Sequence, residues 1–202
     1  LTPGEKYLRT LEHLGSGSLI SDVSQYTLNN LQKSYAQLDQ GTVEQIVDIL
    51  LRSDRKYIAG FRGTACCAQY MASKLLFLTP HVVPILHADA TAVENLLDIT
   101  ERDCLFLYSF PRYSEIARPL MEIARESGAK VILMTDRRTS PLANKADVVV
   151  TAQVDGLGFT NSYVAPLSLS EVILLSVSGR KDVKDSKRFN RIDSVMEREK
   201  LY

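Results

Sequence analysis

The chain reads as an α/β protein: a three-layer α/β/α sandwich around a five-stranded parallel sheet of flavodoxin-like order 2-1-3-4-5, with flanking N- and C-terminal helices. Three observations predict this. Short apolar runs at 57–59, 82–86, 104–108, 131–134 and 148–150 alternate with helical stretches of roughly 10–15 residues. The runs are apolar without alternation, as expected of strands covered on both faces. Right-handed crossovers then distribute the intervening helices over both sides of the sheet. The 202 residues, 45% of them hydrophobic, suffice for one sizeable core but would be cramped as two full domains.

Taken in order, Leu28, Leu31, Tyr35 and Leu38 recur at steps of three and four, with Asn29, Asn30, Gln32, Lys33 and Gln37 between them. That spacing predicts an amphipathic helix over 27–39, ended by Gly41. Thr42 then reads as the cap of a second helix, with Gln45 at the third position after it and Val43, Ile46, Val47, Leu50 and Leu51 as its stripe. After the first strand a helix carries Ala68, Met71, Ala72, Leu75 and Leu76 on one side. After the third strand another carries Ile116, Leu120, Ile123 and Ala124, and Gly128 supplies its left-handed stop. Beyond Thr151 a loop containing Gly156 and Gly158 leads into Val164–Val177, long and apolar enough for a buried helix. The pattern divides the chain into a helical extension over 1–52, an α/β domain over 53–180 and a charged helical tail over 181–202.

Composition limits the function. Lys plus Arg and Asp plus Glu number 24 each, so no net positive field draws the chain to nucleic acid or an anionic membrane. No membrane span and no secretory signal are visible, and a cytoplasmic location is expected. Cys66, Cys67 and Cys104 do not suggest a disulfide framework, and Cys66 and Cys67 read as small packing residues in the first turn of a helix, redox sensing being the lesser alternative. His13, His81 and His87 are scattered without metal-ligand spacing, so neither a metal nor a cofactor is expected. The chain opens on Leu1 rather than methionine, from which we expect a fragment or processed product with an N-terminal domain elsewhere.

Two strand-to-helix loops carry the chemistry: Gly60-Phe61-Arg62-Gly63-Thr64 after the first strand and Ser109-Phe110-Pro111-Arg112-Tyr113-Ser114 after the third. Each offers backbone N–H groups, hydroxyls, an arginine and the positive end of a helix dipole, a combination that suits a phosphate or carboxylate. In a sheet of order 2-1-3-4-5 both loops open on the crevice between strands one and three, where ligands bind. The candidate ligand-binding residues are Arg62, Gly63, Thr64, Ser109, Arg112, Tyr113, Ser114 and, from the turn at Ser140-Pro141, Ser140. The plainer readings are helix caps for the hydroxyls, solvent or an ion pair with Glu94 or Glu115 for the arginines, packing for Tyr113 and turn formation for Ser140.

With these residues in view, the chain resembles the sugar isomerase (SIS) domain and, more closely, the ligand-binding half of RpiR-type transcriptional regulators, over nearly its whole length. The resemblance rests on Gly60-x-x-x-Thr64-x-x-x-Ala68, on Asp103 to Ser114, on Gly128-Ala129-Lys130-Val131-Ile132, and on Thr135-Asp136 followed by Ser140-Pro141-Leu142-Ala143-x-x-Ala146-Asp147. It implies the SIS fold, a phosphosugar-sensing role and an N-terminal helix-turn-helix that this chain lacks. The loop after the third strand in such domains usually runs Ser-x-Ser-Gly-x-Thr/Ser. Here Ser109 and Ser114 keep the ends while Pro111 and Arg112 replace the inner Ser-Gly. Arg62 likewise stands where family members often have glycine. Proline donates no hydrogen bond, and the Arg112 fork is suited to restoring the lost anion contact.

Aldose–ketose isomerisation would require a base beside the substrate, and Glu94, His87 and Glu171 are the candidates, none singled out by spacing. The expectation is therefore a non-enzymatic sensor: a homodimer or higher homo-oligomer that converts binding of a small anion into altered DNA affinity of a missing domain. The alternatives are a phosphosugar isomerase or lyase, or a structural dimerisation domain with an emptied pocket. Helices over 18–51 and the charged tail are the expected dimer and relay surfaces.

Overall fold

The structure is a computed structural model that describes residues 2–14 and 17–201, the side chain of His13 excepted. Leu1 and Tyr202, at the ends of the outer segments outlined above, lie outside the described residues. Five parallel strands, β1 (Lys56–Gly60), β2 (Val82–Ile85), β3 (Cys104–Tyr108), β4 (Lys130–Thr135) and β5 (Val148–Thr151), form one sheet in the order β2-β1-β3-β4-β5. The expected sheet is the observed one.

Successive strand residues point to opposite faces, so each strand feeds two cores. Ile58, Phe106, Tyr108, Ile132, Met134 and Val150 meet α3 (Gln40–Arg52), α4 (Ala65–Leu78) and α7 (Val164–Ser178). Tyr57, Ala59, Leu105, Leu107, Val131 and Leu133 meet α5 (Ala90–Leu96) and α6 (Ala117–Glu126). Each fully buried leucine, isoleucine or phenylalanine contributes about 1.5–3 kcal/mol, which is why strands buried on both sides read as unbroken apolar runs. Gly128 ends α6 at φ +77°, where other residues are strained.

At the amino ends of the strands Asp103 is buried and accepts from the backbone N–H groups of Arg55 (2.9 Å) and Thr100 (2.8 Å) and from the Arg55 guanidinium (3.1 Å). Burial alone would raise this carboxyl; the N–H donors and Arg55 outweigh it and hold it below the usual carboxylate range. Asp147 does similar work beside β4, accepting from the Val131 N–H at 2.8 Å.

The flanking helices correct three expectations. The cap of α3 is Asp39, whose carboxylate accepts from the Thr42 N–H (2.8 Å) and hydroxyl (2.6 Å); Gly41 and Thr42 lie inside the first turn. A carboxylate satisfies that turn's free N–H groups and its dipole together, so it displaces threonine from the role. Second, only half of the apolar stripe expected around α2 (Leu19–Gln37) is covered: Leu31 and Leu38 are half-buried, Leu38 against the core, and the most buried positions are polar. Leu28 and Tyr35 are 63% and 45% exposed, while Asn30 and Ser34 are 2% and 0% exposed. This helix covers the backbone that leaves β5, and irregular backbone needs polar partners: Asn30 donates to the Asp155 carbonyl, and Ser34 Oγ accepts from the Gln153 N–H. Third, Leu76 of α4 is exposed, because the helix turns that position away from the sheet.

The tail forms α8 (Lys181–Asp185) and α9 (Arg188–Arg198). Phe189 meets Phe77 of α4 at 5.9 Å, and Arg188 donates to the Leu76 carbonyl. At the other end α1 (Pro3–Leu14) rests on the segment after β5 through a Tyr7–Phe159 ring contact at 6.2 Å and a Thr10 hydroxyl bond to the Leu157 carbonyl. All three cysteines are free thiols, Cys66 exposed and the other two buried. Among the described residues no helix is long and apolar enough to cross a membrane, and no group of three or more His, Cys, Asp or Glu is placed to hold a metal ion.

Candidate functional site

A cleft of about 520 Å3 opens at the carboxyl ends of β1 and β3. These neighbours pair in register up to Gly60 opposite Tyr108, so the loops that follow them leave the sheet side by side. The first loop turns immediately: a Cβ on Gly60 would sit 2.5 Å from the Thr64 carbonyl oxygen. Thr64 then closes the turn. Its Oγ1 accepts from the Phe61 N–H at 2.7 Å and donates to the Phe61 carbonyl at 2.9 Å. The hydroxyl is engaged within the loop, and what this loop turns outward is Arg62 and Gly63, both exposed at the rim of the cleft.

The second loop continues the ladder by one bond, from the Ser109 N–H to the Met134 carbonyl (3.0 Å). Ser109 is 4% exposed, and its hydroxyl has no hydrogen-bond partner among the described residues although the residue lines the cleft. A buried unpaired hydroxyl is costly, and a bound acceptor would satisfy it. Arg112 is exposed beyond it, on backbone anchored by the next residue: Tyr113 donates to Asp136 Oδ1 at 2.7 Å. Burial and that hydrogen bond push the Tyr113 phenol up to about 12.

Six of the eight expected residues, Arg62, Gly63, Thr64, Ser109, Arg112 and Ser114, line this one cleft. Tyr113 and Ser140 do not. Tyr113 turns to Asp136, whereas Ser140 is buried within the loop after β4, its hydroxyl also without a partner among the described residues. Arg62 and Arg112 pair with neither Glu94 nor Glu115. Among the described residues no ion pair or side-chain hydrogen bond engages either guanidinium.

A third wall escaped the sequence reading. Phe159, Thr160, Asn161 and Tyr163, from the segment between β5 and α7, complete the cleft, with Pro3 of α1 at its edge. Asn161 donates to the Pro111 carbonyl (3.2 Å), and the Tyr163 ring meets Phe110 at 6.0 Å. Tyr163 also lies flush against Gly63, where a Cβ would come within 2.8 Å of its ring and hydroxyl. Burial raises the Tyr163 phenol, which stays protonated at neutral pH. The available signal was aromatic: Phe159 and Tyr163 follow Gly156 and Gly158 in the loop that leaves the carboxyl end of a strand.

The arrangement defines a doubly wound α/β domain with a cleft at its topological switch point, lined by two arginines and without a carboxylate among the described residues. The SIS domain family matches residues 49–176. The chain belongs to that family. Among solved structures it is similar to the sugar isomerase domain of an RpiR transcription factor from Sphaerobacter thermophilus, with TM-score 0.82, 22% identity, and coverage of 90% of this chain and 99% of that one. The Vibrio vulnificus NanR protein complexed with ManNAc-6P follows at TM-score 0.75 and 17% identity, covering 92% of this chain and 71% of that one. A Methanococcus jannaschii protein, whose structure was taken to infer a 3-hexulose-6-phosphate isomerase function, matches at TM-score 0.63 and 14% identity, with 86% and 96% covered. No curated protein shows a significant match in sequence.

Proposed function

We propose that this chain is the ligand-sensing domain of an RpiR-type transcriptional regulator, taking a phosphosugar or a related small anion, with DNA bound by a helix-turn-helix segment outside it. The lining of the cleft carries this reading. It holds two unpaired guanidiniums and an unpaired buried hydroxyl and, among the described residues, no carboxylate or imidazole. An aldose–ketose isomerase needs a base within hydrogen-bond reach of its substrate. Glu171 instead accepts from Tyr70 at 3.0 Å in a groove between α4 and α7, and Glu94 and His87 are exposed on the stretch from β2 to α5. Likeness to an RpiR transcription factor and to NanR with ManNAc-6P supports the same choice.

In this reading residues 53–180 sense the ligand, 1–52 link and dimerise, and 181–202 form a helical tail. The apolar side of α3 is already committed to the core, so a dimer surface falls to α1 and α2, where Leu8, Leu14, Ile20 and Leu28 are exposed. We expect a homo-oligomer in the cytoplasm, where the three thiols stay reduced. Sedimentation giving a monomer at micromolar concentration would remove the dimer from the scheme.

A thermal-shift screen of phosphosugars, coupled to a turnover assay on the same compounds, tests the central reading. Saturating ligand should stabilise the protein by about 2.7 kcal/mol at one hundred times Kd, with no chemical change in the ligand. Interconversion of an aldose and a ketose phosphate would establish the isomerase reading instead.

A further inference from the structure

Resting on the sensing reading above, we infer that α1 is a strap that belongs to the ligand site. It braces the third wall of the cleft, a ligand lying against that wall braces α1 in return, and occupancy thereby fixes how the chain leaves towards the DNA-binding segment expected on its amino-terminal side. Pro3, Tyr7 and Thr10 are spaced four and three apart, so they share one side of the helix. Each of them reaches the site or its wall. Pro3 lines the cleft itself, the Tyr7 ring meets Phe159 edge-on at 6.2 Å, and the Thr10 hydroxyl lies 2.6 Å from the Leu157 carbonyl, nearer than the 2.9 Å to Lys6 of its own helix. Phe159 is the shared side chain, because it lines the cleft while it touches Tyr7.

The wall has room to shift. Ser162 donates its N–H to the Val154 carbonyl at 3.0 Å, which closes the 154–162 loop at its base. A second cavity, of about 240 Å3, lies between this loop and Val23, Tyr26 and Thr27 of α2, and it shares Thr160 and Asn161 with the cleft. The loop therefore has space behind it, and α1 is what braces Phe159 from outside. The strap is itself lightly seated: Tyr7, Leu8, Leu11 and Leu14 are all exposed, so little apolar burial holds the helix down. A ligand that rests on Pro3 and Phe159 favours the docked state of α1 over the released one. Reciprocity then requires that docked α1 raise the affinity for that ligand by the same factor.

Hydrogen–deuterium exchange and isothermal titration on the full chain, with D-glucose 6-phosphate and inorganic phosphate as probes, test the coupling. In a cleft of about 520 Å3 a hexose phosphate reaches the third wall from the arginine-bearing loops, and inorganic phosphate does not. Bound glucose 6-phosphate should slow exchange at the α1 amides, and bound inorganic phosphate should leave them unchanged. Tyr7→Ala combined with Thr10→Val should speed exchange in ligand-free α1 and leave the Tm unchanged, as both side chains lie outside the core. The same variant should bind glucose 6-phosphate about 5–20-fold more weakly, with inorganic phosphate unaffected. Equal affinity for glucose 6-phosphate in variant and wild type, α1 exchange indifferent to the bound sugar phosphate, or one common factor of weakening for both probes would overturn the strap and leave the sensing reading standing. Failure of both probes to bind the wild type would overturn the sensing reading and this proposal with it.

Discussion

Phe61 and Thr64 hold each other: the Phe61 N–H donates to Thr64 Oγ1 at 2.7 Å, and the same hydroxyl donates back to the Phe61 carbonyl at 2.9 Å. One hydroxyl satisfies both polar groups of a buried residue's backbone, and the first cleft loop keeps its shape through it. Thr64→Ser preserves both bonds, whereas Thr64→Val leaves the Phe61 N–H unpaired at a cost of about 1–3 kcal/mol. For a chain of this size that corresponds to a Tm lower by roughly 2–4 °C per kcal/mol, measured by calorimetry. The valine variant should also lose phosphate-dependent stabilisation, and the serine variant should keep it.

The Ser109 hydroxyl predicts the opposite combination. Because it is buried without a partner, Ser109→Ala should leave the ligand-free protein as stable as before or more stable by about 1 kcal/mol. Ligand affinity should fall in the same variant. A clear drop in ligand-free stability would show that the hydroxyl has a partner within the fold.

Gly63 and Tyr163 form a mutual constraint between the first loop and the third wall. Gly63→Ala forces the ring away, costing about 1–3 kcal/mol as overpacking. Tyr163→Ala should relieve most of that cost in the double variant. A double-mutant cycle on thermal stability with no coupling energy would contradict the contact.

Asp103 makes the fold sensitive to acid. Its folded carboxyl lies below the unfolded value, so its contribution is present in full above the unfolded pKa of about 3.9 and is lost as pH falls through the folded one. Asp103→Asn should destabilise the protein at neutral pH by about 1.5–3 kcal/mol, since the variant gives up charged hydrogen bonds from the Arg55 and Thr100 N–H groups and from the partly exposed Arg55 guanidinium. The gap between wild type and variant should hold down to about pH 4 and close below it, as denaturant midpoints across pH would show.

Much of the site was legible because its signals are local. The Gly60–Thr64 and Ser109–Ser114 loops each announce themselves by a strand end, a turn residue and a helix start within a few positions, and strand order then brings them together. Thr64 shows the limit: a hydroxyl at a helix start looks the same in sequence whether it faces a ligand or its own backbone. Tyr113 and Ser140 sit close to the cleft in sequence yet spend their side chains elsewhere, on Asp136 and in the interior.

On its own the sequence determined most of the periodicities, the five strands and their order, and the two loops that meet at the cleft, since each depends on interactions within a few residues or on the handedness of crossovers. Tertiary structure alone decided that Asn30 and Ser34, rather than Leu28 and Tyr35, are the buried side of α2, that Tyr163 closes the cleft against Gly63, and that both cleft arginines adopt a left-handed backbone. The physical reason is common to all three. Which groups lose water, and which torsions are enforced, depends on segments distant in the chain whose polar atoms must be satisfied wherever packing places them.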